Sequence, residues 1–120
     1  MMERLGLLCL LLLAPLVAPA PPADVAGKWR VTISTSDGAM TGKAAFTQRG
    51  DRVAGWLGPS ENDPIPIIGT VTGNKLIVET FPQSGRNAAF DKCEVTIDGD
   101  KMAGTMDTNK AKIEFVRTGR

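Results

Sequence analysis

From Gly27 onward the chain alternates apolar and polar residues with a period of two, in short runs, half of them stopped by glycine beside Asp or Asn. In the first run, Gly27-Lys28-Trp29-Arg30-Val31-Thr32-Ile33, Trp29, Val31 and Ile33 fall on one face and Lys28, Arg30 and Thr32 on the other. Successive side chains of a strand point to opposite sides, so this pattern is that of a half-buried β-strand. Beyond Gly27 no long apolar stretch has helical spacing.

Eight such runs follow one another. They are Gly27 to Thr35, Ala39 to Gln48, Arg52 to Gly58, Ile65 to Val71, Lys75 to Phe81, Ala88 to Ile97, Lys101 to Met106 and Lys110 to Thr118. Pro59–Pro64 and Pro82–Asn87 are longer polar loops. Gly50-Asp51-Arg52-Val53-Ala54-Gly55 is echoed by Gly99-Asp100-Lys101-Met102-Ala103-Gly104, and Gly73-Asn74-Lys75-Leu76 is a partial copy. Glycine beside Asp or Asn supplies the positive φ of tight hairpin turns, so the repeat is a hairpin signal without chemistry of its own.

Short antiparallel strands with one apolar face either close into a barrel or stack as a sandwich, and closure removes the exposed edges. The expected fold is an all-β, eight-stranded antiparallel up-and-down barrel, one domain over residues 24–120. In that order the Gly-Asp/Asn turns gather at a tight end, and both long loops lie at the other. The expected inward set is Trp29, Val31, Ile33, Phe46, Val53, Leu57, Ile67, Val71, Leu76, Val78, Val95, Met102, Ile113 and Phe115. Gly42, Gly55, Gly69 and Gly104 share that parity, either as sites of sharp strand bending or as space left for a ligand, with bending favoured.

Residues 1–23 read as a signal peptide. Leu5 to Val17 is almost wholly apolar, too short to cross a bilayer as a helix but suited to a signal-peptide core. Ala18-Pro19-Ala20 offers small residues for cleavage, yet Pro21 would follow that cut directly, so cleavage is placed between residues 20 and 26. An uncleaved anchor is the alternative. The expected location is therefore exported, periplasmic or extracellular, with no transmembrane domain in the mature chain. Cys93 is then the last cysteine remaining, so an intrachain disulfide is excluded; its alternation with Val95 and Ile97 makes it a core residue.

The formal charge is +1, which argues against a nucleic-acid surface. There is no histidine, hence no imidazole base for Ser60, Ser84 or Cys93. Asp98-Gly99-Asp100 lacks the further oxygen ligands of a calcium loop. No enzyme, metal or cofactor is expected. Glu61, Asn62, Asp63, Arg86 and Asn87 are the candidate ligand-mouth residues at the loop end. Trp56, Ile68 and Ile77 share the outward parity of neighbouring strands and form a candidate outer patch for self-association or a partner.

Gly27-Lys28-Trp29 at the start of an exported all-β domain resembles the Gly-x-Trp signature of the calycins, the lipocalin and avidin-like barrels. The segment Gly27 to Thr118 is also similar to small exported bacterial Gly-x-Trp β-domains of unassigned function. The lipocalin resemblance implies that Arg117, near the end of the last strand, packs across Trp29 and closes the base of the barrel. The chain is short for a lipocalin and lacks its following helix, and nothing matches the polar biotin-binding set of avidins. Three functions are consistent with these features. The first is a barrel holding a small hydrophobic or amphipathic ligand at the loop end. The others are a protein-binding module, such as the periplasmic protease or lysozyme inhibitors, and a ligand-free envelope domain.

Overall fold

The computed structural model describes residues 22–80, 92–107 and 110–120. Its strands are β1 (Gly27–Thr35), β2 (Gly38–Arg49), β3 (Arg52–Gly58), β4 (Ile65–Thr72), β5 (Lys75–Thr80), β6 (Lys92–Asp98), β7 (Lys101–Met106) and β8 (Lys112–Gly119). Each pairs antiparallel with its neighbour in sequence, and β8 returns to β1, giving a closed up-and-down barrel. Closure leaves no strand edge unpaired, the solution small all-β chains use against edge-to-edge aggregation.

The tight end is built by three two-residue turns, Gly50-Asp51, Gly73-Asn74 and Gly99-Asp100. Their glycines have φ of 62°, 62° and 64°, while the Asp or Asn that follows is not left-handed. Positive φ at the first central position alone is the φ pattern of a type II′ turn, whose twist matches that of the flanking strands. A Cβ on any of these glycines would meet nothing within 4 Å, so glycine is present for its dihedral and not for space.

The inward glycines serve the opposite purpose. A Cβ at Gly104 would overlap the Glu94 carbonyl oxygen and press on Val95 Cα, and one at Gly55 would overlap the Ala45 carbonyl oxygen. They let neighbouring backbones approach in a narrow barrel; their missing side chains do not open a ligand space.

The inward faces form one core cluster. Every residue of the expected inward set is buried in it except Ile33, which packs against it half-buried near the loop end. Val25, Ile65, Met106 and Ala111 join the core in addition. Most strand limits differ from the sequence expectation by a residue or so, with two larger cases. The expected start of the sixth strand at Ala88 lies outside the described residues. The eighth strand starts at Lys112 instead of Lys110, because Lys110 is left-handed (φ 58°) and its N–H donates to the Met106 carbonyl at 3.0 Å, extending the turn.

Candidate functional site

At the tight end, Trp29 is 1% exposed and its indole Nε1–H donates to the Val25 carbonyl at 2.9 Å. Arg117 lies directly opposite Trp29 in the β1–β8 register, with its guanidinium carbon 4.4 Å from the ring centroid. The register shifts between Lys28 and Trp29, and Gly27 (φ 131°) sits where a Cβ would overlap the Gly119 carbonyl oxygen. This gives a physical reason for the glycine of Gly27-Lys28-Trp29: only a residue without a Cβ allows the closing strand in. Arg117 also donates to Asp100 Oδ1 at 2.7 Å, to the Asp24 carbonyl at 2.8 Å and to the Ala26 carbonyl.

The segment before β1 completes this closure. Val25 is fully buried and its N–H donates to Gln48 Oε1 at 2.7 Å, while Gln48 Nε2 donates to the carbonyls of Ala23 and Gly50. The Ala26 backbone N–H above all holds the Asp24 carboxyl below its usual range; burial opposes it, and the Arg120 and Arg117 guanidiniums add to the lowering. Val25 lies within the stretch 20–26 where cleavage is expected; its burial carries no periodic signal in the sequence, since that segment precedes the alternation.

At the loop end, Glu61, Asn62 and Asp63 are exposed. Their loop turns about Ser60: its Oγ accepts from the Asn62 N–H at 3.2 Å and its carbonyl from the Asp63 N–H at 3.2 Å. Arg86 and Asn87, the other expected mouth residues, lie outside the described residues. The inner rim shows Met40, 61% exposed, opposite the half-buried Ile33. Below the rim the side chains are buried, among them Leu57, Ile67, Cys93, Met106 and Ile113. The free Cys93 thiol is pushed up to about 12, first by burial and then by the negative charge of Asp107.

The outer wall carries Trp56, Ile68 and Ile77 on a diagonal. Ala54 faces Ile68, with Trp56 two residues on from Ala54; Glu79 faces Ile68, with Ile77 two residues before Glu79. Diagonal cross-strand positions of this kind lie within reach of large side chains. Ile68 is exposed, and Trp56 and Ile77 are half-buried.

Beside this diagonal the wall is grooved. A hollow of about 620 Å³ runs along the outside of β2, with Lys28 and Arg30 of β1 on one side and Trp56, Pro59 and Glu61 on the other. Thr41, Lys43 and Ala45 of β2 form its floor, and Thr118 borders it. Arg30 stands directly opposite Lys43, and Ala45 stands between Lys28 and Trp56 in the adjacent row. The sequence showed Lys28 and Arg30 as outward residues, but only the register brings Lys43 and Trp56 to them.

Among the described residues there is no group of three or more His, Cys, Asp or Glu side chains placed to hold a metal ion, and no helix long and apolar enough to cross a membrane. Comparison with protein-family profiles, with curated proteins and with solved structures returned no match.

Proposed function

We propose that this chain is an exported, non-enzymatic binding domain that works from the outer wall of a side-chain-filled barrel. The observation that carries the reading is the burial of inward side chains at every depth. Phe115 and Leu76 near the base, Val31 and Val78 midway, and Ile67, Cys93 and Ile113 toward the loops are each 0–1% exposed. A void able to admit water would leave accessible surface on the side chains around it, and these have almost none. A ligand then has the outside of the barrel, where the grooved β1–β2–β3 face offers concavity, charge and an indole together.

Export rests on the apolar run Leu5 to Val17 and the small residues after it. A calycin-like reading of the barrel rests on Gly27-Lys28-Trp29 and on Arg117 lying across Trp29. The non-enzymatic reading is supported by the lack of histidine and by a Cys93 thiol held protonated in the core. A protein-binding module of the protease- or lysozyme-inhibitor kind is the macromolecular form of the same reading.

A second reading, a small apolar or amphipathic ligand at the loop end, is favoured by Met40 and Ile33 at the rim. Native mass spectrometry of the mildly purified chain separates the two. The outer-wall reading expects the mass of the polypeptide alone. A stoichiometric lipid or apolar metabolite carried through purification would replace it with the loop-end reading.

A further inference from the structure

We infer that the groove on the outside of β2 binds an anionic saccharide, with a sugar ring against Trp56 and its carboxylate or sulfate between Arg30 and Lys43. This rests on the outer-wall reading and names the ligand class.

The first support is electrostatic. Arg30 and Lys43 face each other across β1 and β2, with Lys28 two residues before Arg30 on the same side. Like charges directly opposite on a sheet destabilise it, so the stability of the wall does not call for this pair. Among the described residues Lys28, Arg30 and Lys43 make no ion pair, and Glu114, which faces Thr32 one outward row from Arg30, does not reach them. An anion between Arg30 and Lys43 would accept charge-assisted hydrogen bonds and relieve their repulsion.

The second support is shape. Ala45 occupies the position between Lys28 and Trp56, and its methyl group leaves the indole and the lysine stem as facing walls of a trough. The hollow falls within the roughly 300–1,000 Å³ typical of small-ligand sites.

Trp56 supplies the third support. Trp29 spends its N–H on a backbone carbonyl, whereas the half-buried Trp56 has no hydrogen-bond partner among the described residues. It carries an apolar face and an N–H donor side by side, suited to the C–H face and the hydroxyl rim of a pyranose. The hydroxyls of Thr41 and Thr118 and the carboxylate of Glu61 add partners for sugar hydroxyls.

The test is titration of the full chain with digalacturonate, followed by tryptophan emission and calorimetry. Trp29 is sealed in the core, so an emission change reports on Trp56. The expected result is saturable binding that weakens with salt, with no comparable binding of lactose or of sulfate alone. An R30Q/K43Q variant should bind about tenfold more weakly or worse while melting no lower than the parent, since a like-charge pair has been removed. W56L should lose calorimetric binding as well. Equal binding of lactose, equal binding of sulfate alone, an unchanged affinity in R30Q/K43Q, or binding of a Glu-rich peptide in place of the sugar would each overturn the inference. Failure here with a clean polypeptide mass removes the saccharide and leaves the outer-wall reading. A retained apolar molecule removes the outer-wall reading itself.

Discussion

Trp29 gives one ring face to Arg117, an edge contact to Phe115 with centroids 6.3 Å apart, and its N–H to Val25. Truncation would empty a fully packed site and orphan the Val25 carbonyl. Trp29→Ala is therefore expected to lower stability by about 3–5 kcal/mol in denaturant unfolding, with the outer groove variants unaffected by comparison. The Arg117 contact contributes about 0.5–2 kcal/mol of that, as a cation over an indole face. Cys93 makes a second prediction at this scale. Its folded pKa is raised, so the stabilising preference for the neutral thiol is fully present below the ordinary thiol pKa and is lost as pH rises through the folded value near 12. Unfolding free energy should accordingly decline above about pH 9 on this account, and a maleimide at pH 8 should label the denatured chain far faster than the folded one.

Strand β7 shows what the elements demand of single residues. Gly104 faces Val95 across β6 and β7, with the Glu94 carbonyl where a methyl would go. Gly104→Ala must spread those strands, and a loss of about 1–3 kcal/mol is expected in thermal or denaturant melts. The same change at Gly73 meets no neighbouring atom but must hold φ at 62°, so its cost arises from the turn alone. The strands and turns were legible in the sequence because both of their signals are local: alternation sets the face, and Gly-Asp or Gly-Asn sets the reversal. Lys110 was misread because nothing in its side chain announces a left-handed backbone, which is imposed by the Met106 carbonyl it bonds. Val25 was missed for a related reason, since its burial depends on Gln48, far along the chain. The groove lies further still from local reading, because Arg30, Lys43 and Trp56 become neighbours only through the registers of two strand pairs.

For the whole molecule, every strand pairing except β1 with β8 joins neighbours in sequence. The two termini of the barrel meet at the tight end, where Arg120 donates to Asp24 at 2.8 Å. Bridging Arg120 to Ala23 with a few Gly and Ser residues, and opening the chain between Ser36 and Asp37, would turn the closing pair into a hairpin and make β1 with β2 the new closure. A ring of hairpins thus has no privileged first strand: wherever it is cut, one distant pairing remains and the others stay local. Folding rate follows the mean sequence separation of contacts. Permutants cut at different turns should therefore refold at closely similar rates in stopped-flow measurements, and a large slowing for one cut would reveal a hairpin on which the others wait.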